Sequence, residues 1–357
     1  MKLKKMFAWM LAAVMLLSLA GCGQQAEPDV TEEPPETRVF TDSVGREVEI
    51  PARIDKVALS GPMAQITLFA LCPDKLVGVS NAWTAEAEEY LDPEYFNMPE
   101  IGQLYGGKGE LNLETLLESG AQIVIDVGEP KGTIVEDLDA LQEQVGIPFV
   151  HISATLAEMD DAYRMLGDLL GMEEEAETLA VYCAEVYQRA VDIADSVEKA
   201  DILYITGAEG LNVIAKDSYH AEVMDLLANN LAVVEDPSSK GTGNEVDLEQ
   251  IMKWDPDQII FSPDGAYEQA PASAGWDSLA AIQSGSYYEV PMGPYNWMGF
   301  PPSVQRLLGM IWMPKVLYPE AADYDLYEEV ARYYELFYHC ALTVEQYEAL
   351  VANSVGK

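Results

Sequence analysis

Side chains that could bind a ligand stand in loops that follow predicted β-strands. In the first half of the chain these loops contribute a hydroxyl, a thioether, an indole, a carboxylate and an ammonium group: Ser60, Met63, Trp83, Glu129 and Lys131. In the second half they contribute Lys216, Tyr219, Asn244, Tyr267, Tyr295 and Trp297. Loops at the carboxyl ends of parallel strands line the ligand crevice of an open α/β sheet. Aromatic faces with a few polar groups therefore predict a site for a medium-sized ligand.

The densest of these loops is Tyr295–Ser303, and it leads into a predicted helix that carries Arg306. Pro302 and Ser303 favour a helix start, so Arg306 falls in the first helical turn. There the guanidinium could bind an anionic group of the ligand, or it could be held by one of the many acidic side chains. The sequence leaves both alternatives open.

No catalytic or metal-binding pattern stands out. The segment Gly102–Gly109, which contains Tyr105, has the spacing of a phosphate-binding loop but ends in glycine where serine or threonine must hold magnesium. The three histidines, His151, His220 and His339, stand in separate segments, whereas a transition-metal site needs converging ligands. No nucleophile motif stands out either. We predict a protein that is not an enzyme and holds no metal or cofactor of its own.

The chain is strongly acidic, with a formal charge of −41. Residues 1–21 hold three lysines and no acidic residue, so their removal would change the charge from −41 to −44. Such a field repels polyanions, and nucleic-acid binding is therefore excluded as a function.

The first 21 residues have the pattern of a secretory signal. Lys2, Lys4 and Lys5 precede the apolar stretch Met6–Ala20, which is too short to span a bilayer comfortably. The stretch ends in Leu19-Ala20-Gly21-Cys22, which resembles the lipobox of bacterial lipoproteins. That resemblance implies cleavage before Cys22 and lipidation of its thiol; the alternative is a simple secretory signal with an incidental cysteine.

The segment after Cys22 is predicted to be a disordered tether. Residues 22–37 are rich in proline, glutamine and acids and contain almost nothing apolar. The remaining cysteines, Cys72, Cys183 and Cys340, lie far apart without a CxxC spacing, which argues against a zinc or dithiol site. They allow at most one disulfide, and the sequence does not decide whether it forms.

Strands and helices alternate through the rest of the chain, which predicts parallel β–α–β units. A body of roughly 320 residues exceeds one ordinary core and indicates two lobes. A long amphipathic signal, Leu156–Val197, separates two similar halves and is interrupted at Gly171. We predict a first α/β lobe at 38–172, an interlobe helix at 173–198, a second lobe at 199–320 and C-terminal helices at 321–357. Within the second lobe, 232–234 is predicted to be a strand.

Two helix–strand units resemble each other across the predicted long helix. Leu113-Glu114-Thr115-Leu116-Leu117 and Leu248-Glu249-Gln250-Ile251-Met252 each begin a helix with Leu-Glu, and an apolar strand follows both. Glu114 and Glu249 are 135 residues apart, a period that indicates duplicated lobes and not a solenoid.

Together these features resemble the substrate-binding lipoproteins of ABC importers, in the class that serves ferric siderophores, haem and cobalamin. The likeness runs from about Arg38 to Pro319 and includes Ser60-Gly61-Pro62 and the segment Pro301–Gly309. It implies the class III periplasmic-binding-protein fold, which is α/β with two Rossmann-like lobes, mainly parallel sheets, one long bridging helix and a ligand cleft between the lobes.

The resemblance also implies function. Members carry one exposed glutamate per lobe that docks on arginines of the permease dimer, and the matching positions here are Glu114 and Glu249. We expect a monomer, attached to the membrane only through its lipid and facing outward, that captures an iron chelate and delivers it to the permease. Tyr105, Tyr219 and Tyr267 could supply phenolates or stacking faces. Lys131, Lys216, Lys240 or Arg306 could meet an anionic chelate.

Other functions remain open from the sequence. Some relatives in this class bind a corrinoid or an oxyanion such as molybdate or tungstate, so the ligand is not decided. A metal-dependent surface enzyme using the same cleft, and an adhesion or scaffold lipoprotein without an enclosed cleft, are alternatives of other classes.

Overall fold

A computed structural model describes residues 36–105, 111–263 and 265–354. The predicted signal, Cys22 and most of the predicted tether lie outside the described residues. The chain from Thr37 onward forms one compact unit. No helix among the described residues is long and apolar enough to cross a membrane.

Eleven strands lie within the described residues, in chain order: β1 Thr37–Thr41, β2 Glu47–Pro51, β3 Val57–Leu59, β4 Ile123–Gly128, β5 Phe149–Ser153, β6 Asp201–Thr206, β7 Asn212–Val213, β8 Asn229–Asn230, β9 Asn244–Glu245, β10 Gln258–Phe261 and β11 Tyr287–Glu289. Twelve α-helices accompany them: α1 Pro62–Leu71, α2 Pro93–Phe96, α3 Leu113–Ser119, α4 Ile134–Val145, α5 Met159–Leu170, α6 Glu173–Ser196, α7 Glu222–Leu227, α8 Leu248–Trp254, α9 Ala280–Ser284, α10 Arg306–Leu317, α11 Leu326–Phe337 and α12 Val344–Leu350.

The first lobe is built on the parallel sheet β3-β4-β5, with a separate antiparallel hairpin, β1-β2. All six residues of the central strand β4 are buried, as expected for a parallel strand covered on both faces. Because the three strands are parallel, their carboxyl ends, at Ser60, Gly128 and Ser153, meet along one edge. That edge faces the second lobe.

The second lobe has a mixed sheet in the order β11-β10-β6-β7-β9, with β8 also paired to β6. Strands β11, β10, β6 and β8 run parallel to one another, and β7 pairs antiparallel with both β6 and β9. The strand predicted at 232–234 is wrong, because pairing with β6 occurs at β8 instead. The Asn230 side chain explains the end of the pairing: its oxygen accepts from the Ala232 amide at 3.0 Å, so that amide is not available to a neighbouring strand.

Helix α6 joins the two sheets and confirms the predicted long helix. Its 24 residues begin after Gly171, whose φ of +64° ends helix α5 in the left-handed conformation. Glu173, Glu174 and Glu175 occupy its first turn, where carboxylates stabilise the positive end of the helix dipole. Residues of the predicted apolar stripe are buried at intervals from Ala176 to Ala194. The helix has no break between Glu173 and Ser196, so one continuous helix connects the lobes.

The C-terminal segment that contains α11 and α12 contacts both lobes, at Phe69 in the first and at Glu289 in the second. His339 Nε2 lies 3.2 Å from the carbonyl oxygen of Phe69 in the first lobe, and Arg189 of α6 pairs with Glu329 at 2.6 Å. The Trp312 indole of α10 donates to the Ser354 carbonyl, after α12, at 2.7 Å. The end of the chain therefore ties the first lobe, α6 and α10 together.

The two Leu-Glu units adopt the same local structure. Helices α3 and α8 have seven residues each and begin with a side-chain cap: Asn112 accepts from the Thr115 amide, and Asp247 accepts from the Gln250 amide. Each helix ends at a left-handed residue and leads to an inner strand of its sheet, β4 or β10. The similarity predicted from the sequence is thus present in three dimensions.

Candidate ligand cleft between the lobes

The floor of the cleft is held by hydrogen bonds from the loop 291–303 to the first lobe. The Ser303 hydroxyl donates to the Met63 carbonyl at 3.0 Å and lies 3.0 Å from the Thr67 hydroxyl. The Thr84 hydroxyl donates to the Pro294 carbonyl at 2.7 Å. The predicted site residue Met63 therefore lies where the lobes meet, with its thioether against Gly128 at the end of β4.

Tyr219 closes one side of the cleft. Its phenol donates to the Ala154 carbonyl of the first lobe at 2.8 Å, and its ring lies under the Arg306 guanidinium at 4.7 Å. Arg306 is completely buried and forms an ion pair with Glu222. The sequence left two partners open for Arg306, and in the structure its partner is an acid of its own chain, Glu222.

Burial and the charge of Arg306 have opposite effects on the pKa values of Glu222 and Tyr219. Burial raises the pKa of Glu222, while the Arg306 charge and its hydrogen bond lower it. Burial likewise raises the pKa of the Tyr219 phenol, with Arg306 opposing it. The Tyr219 phenol is therefore neutral and donates to the Ala154 carbonyl. It acts as a hydrogen-bond donor and not as a phenolate ligand.

A cavity of about 370 Å³ opens beside Tyr219 between the lobes. Its walls carry four carboxylates and several apolar groups: Glu129, Thr155, Leu156, Ala157, Tyr187, Asp217, Ser218, Tyr219, Glu222, Asp225 and Leu226. The predicted site residue Glu129 is exposed there, and its charge raises the pKa values of both Tyr219 and Glu222. This part of the cleft is acidic and disfavours an anion.

A different surface forms around Phe300, which sequence reasoning did not single out. The ring is 56% exposed, although large apolar side chains are usually buried. It packs so closely on Gly241 that a side-chain carbon at 241 would lie 2.1 Å from the ring. Lys240, next to that glycine, is exposed. Phe300 thus offers an open aromatic face beside a cation.

His220 lies behind Phe300 and was also missed. Its Nδ1 is 2.7 Å from the Gly299 carbonyl oxygen, and its ring centroid is 6.5 Å from that of Phe300. Burial lowers the pKa of His220; hydrogen bonds with the backbone of Gly299 and Ser239 oppose this, and the charges of Arg306 and Lys131 add to it. Lys131 belongs to the first lobe, so its charge acts on His220 from across the cleft. We call the exposed side chains of Phe300, Lys240 and Lys131, with buried His220 beneath the ring, the Phe300 surface.

Three predicted aromatic ligand contacts are instead packed inside the protein. Trp83, Tyr295 and Trp297 are all buried. The Trp83 indole donates to the Tyr95 carbonyl at 3.0 Å, and its ring lies 5.8 Å from that of Tyr295. Tyr267 packs on the second-lobe core, with its ring 5.4 Å from Tyr287. The three buried rings stabilise the lobes, because protein covers their faces, and Tyr267 is half-buried.

Other predicted residues make local contacts near the cleft. Both polar groups of the Asn244 side chain bind its own loop, at the Ser238 amide and the Asp236 carbonyl, each at 2.8 Å. The Tyr105 phenol donates to Asp137 at 2.8 Å. Lys216 is half-buried, and its charge lowers the pKa of Asp225.

Ser60 belongs to a buried network with Asp126 and His151. The Ser60 hydroxyl donates to one oxygen of Asp126, and His151 Nδ1 lies 2.6 Å from the other. Because Asp126 lies between the serine and the histidine, the hydroxyl meets a carboxylate and not the imidazole that would act as its base in a nucleophilic triad. The network orders the strand ends under the cleft. Among the described residues, no group of three or more His, Cys, Asp or Glu is placed to hold a metal ion.

The chain is similar to known proteins over most of its length. The family model described as periplasmic binding protein matches residues 57–292, more than half of the 357 residues. The molybdate-binding protein MolA of Haemophilus influenzae is 25% identical over 333 residues, covering 84% of this chain and 91% of that protein. The ABC transporter substrate-binding lipoprotein YvrC of Bacillus subtilis is 23% identical over 294 residues, covering 79% and 88%. An ABC transporter solute binding protein from Sulfurospirillum deleyianum superimposes with a TM-score of 0.81 at 25% identity, covering 88% of this chain and 99% of that one.

Proposed function

Because this chain belongs to the periplasmic binding protein family, as the substrate-binding component of an ABC transporter, we propose that its substrate is an iron chelate. The chelate would be a siderophore complex or haem, captured outside the cytoplasm and delivered to the permease. Members of this family bind and deliver substrates and are not enzymes.

The Phe300 surface carries this proposal. An exposed aromatic ring can stack on a flat conjugated ligand. Exposed Lys240 precedes the Gly241 that packs on the ring, and the charge of exposed Lys131 reaches His220 behind it, so both ammonium groups can bind carboxylates or other anionic groups of a chelate. The two lysines come from different lobes, so a ligand that meets both would hold the lobes together. Arg306 is already neutralised by Glu222, so it adds little charge.

The attachment to the membrane and the permease completes the proposal. Cleavage before Cys22 and lipidation of that cysteine would leave residues 22–37 as a leash for the folded body. Glu114 and Glu249 stand exposed at the start of matched helices, one in each lobe, and suit arginines on a permease dimer. A monomer is sufficient for this role, because each lobe supplies one docking helix.

An oxyanion is the second candidate substrate. The observation in its favour is the similarity to MolA, named as a molybdate-binding protein, across most of both chains. The four carboxylates around the cavity beside Tyr219 oppose it, because an oxyanion there would meet negative charge.

Direct titration separates the candidates. Calorimetry with the lipid-free protein would test ferric catecholate and hydroxamate siderophores, haemin, cyanocobalamin and molybdate side by side. We expect saturable binding of an iron chelate and loss of most of that affinity in Phe300→Ala, with no loss in the matched control Val344→Ala, whose side chain is also exposed. Binding of molybdate alone, unaffected by Phe300→Ala, would replace the chelate by an oxyanion. Stoichiometric protein-held metal with hydrolytic turnover would instead favour an enzyme.

A further inference from the structure

Two exposed apolar side chains occupy matched positions in the two lobes. Leu117 on α3 is 53% exposed and Met252 on α8 is 44% exposed. They correspond in the two Leu-Glu units, each three residues after its glutamate. Single exposed apolar residues are common and need no explanation. A large apolar residue at the same exposed position of both units is a stronger observation, because each lobe then presents such a side chain beside its glutamate.

The helices hold these side chains in equivalent orientations. Leu116 and Ile251, the preceding residues, are completely buried and fix which face of each helix is covered. Residues three apart are neighbours on a helix surface, so Glu114 lies beside Leu117 and Glu249 beside Met252. Each lobe therefore presents a carboxylate with a large apolar side chain next to it.

We propose that Leu117 and Met252 are contact residues for the permease, each completing a two-part docking point with the adjacent glutamate. This rests on the proposed function, because it names the surface through which the binding protein meets its transporter. The partner is a permease dimer whose two subunits each present a cation beside an apolar surface. Two matched docking points fit a partner with two equivalent surfaces, and the carboxylates require the cations.

The two docking points differ in charge. Glu249 pairs with Lys253 at 3.0 Å, four residues later on the same helix, whereas the residue four positions after Glu114 is another acid, Glu118. Electrostatic attraction is therefore stronger at the first lobe, and the apolar contact carries a larger share at the second. We therefore compare the loss of permease binding caused by each apolar substitution with the loss caused by its glutamate substitution. The Met252→Ser loss should be a larger fraction of the Glu249→Ala loss than the Leu117→Ser loss is of the Glu114→Ala loss.

The test measures binding of the full chain to the permease of its own transport system. That permease, with its ATPase subunits, is placed in lipid nanodiscs and immobilised, and association is followed by biolayer interferometry. Leu117→Ser and Met252→Ser should each weaken binding about fivefold, the effect of removing one half-buried apolar contact. The double variant should lose about 25-fold, because distant sites act additively in free energy. The loss should persist at high salt, where losses from Glu114→Ala and Glu249→Ala shrink.

The control is Val344→Ser, which removes an equally exposed apolar side chain from α12. It should bind as the unaltered chain does. Equal binding by Leu117→Ser, Met252→Ser and the control would overturn the inference, even if the glutamate variants fail to dock. An unaltered chain that binds its substrate but not the permease would overturn the docking role as a whole.

Discussion

Arg306 of α10 is completely buried and forms an ion pair with Glu222 of α7, and the pair forms part of the cleft wall. The guanidinium also donates to the Tyr219 carbonyl at 3.2 Å and covers the Tyr219 ring. Because Glu222 neutralises it, this arginine stabilises the wall that carries Tyr219 and is not a free anion-binding group. The charge available to an anionic ligand comes from lysines instead.

Removing Glu222 should destabilise the protein. In Glu222→Ala the Arg306 charge stays buried without its carboxylate, so we expect the free energy of unfolding to fall by about 2–4 kcal/mol. Urea denaturation followed by circular dichroism measures this. The control is Glu185→Ala, which breaks an exposed pair with Arg332 and should cost less than about 1 kcal/mol. Equal effects of the two variants would mean that Arg306 finds water or another partner.

Replacing the two exposed lysines should weaken substrate binding without changing stability. Lys131→Ala and Lys240→Ala each remove a charge from the Phe300 surface, and we expect about a tenfold increase in Kd for an anionic chelate at low salt. The increase should become smaller as ionic strength rises. Calorimetry at two salt concentrations provides the measurement.

Lys56→Ala is the matched control, since this exposed lysine stands at the amino end of β3, away from the strand ends that form the cleft. It should bind as the unaltered chain does. An unchanged Kd in both Lys131→Ala and Lys240→Ala would contradict an electrostatic role for the Phe300 surface.

His220 should make stability depend on pH. Its pKa is lowered in the folded protein, chiefly by burial, so the folded state favours the neutral ring. The stability that this contributes is fully present above the unfolded pKa of about 6.5 and is lost as pH falls through the folded pKa. We therefore expect the free energy of unfolding to decline below pH 6.5 more steeply in the unaltered chain than in His220→Gln. Denaturation at pH 5 and pH 7.5 checks the difference, and parallel declines in both proteins would contradict it.

Much of the fold could be predicted because it depends on local patterns. Alternation of strands and helices, the break at Gly171 and the repeated Leu-Glu units all lie in contiguous sequence, and the structure contains each of them. The resemblance to substrate-binding proteins of ABC importers is confirmed by the family match. The prediction of a strand at 232–234 was wrong because the Asn230 side chain, whose role a hydrophobic pattern does not show, accepts from the Ala232 amide that a strand would need.

The candidate site was harder to predict because exposure depends on contacts between distant segments. The loop Tyr295–Ser303 was singled out for its aromatic residues, yet Tyr295 and Trp297 are buried and Phe300 is the open ring. The Phe300 ring packs on Gly241, 59 residues earlier, and no local sequence pattern shows that contact. Likewise, nothing near Arg306 in sequence indicates Glu222 as its partner, since the two are 84 residues apart.

The lobes should move little when the substrate binds. One continuous helix, α6, connects them, and the C-terminal helices contact the first lobe at Phe69 and α6 at Arg189. Closing the cleft widely would bend α6 and break these contacts, so we expect a rotation of only a few degrees, unlike wide hinge closure. Small-angle scattering of the substrate-free and loaded protein should give nearly superimposable curves.

A shortened chain tests whether the C-terminal helices contribute to this restraint. Deleting residues 343–357 removes α12 and the Ser354 carbonyl that accepts from Trp312. If the protein remains folded by circular dichroism, its two scattering curves should differ more than those of the full chain. If the substrate-free and loaded scattering curves differ equally little in both proteins, α6 alone limits the closure of the lobes. A large change in the full chain would contradict the rigid connection altogether, because neither α6 nor the C-terminal contacts could then be limiting the closure.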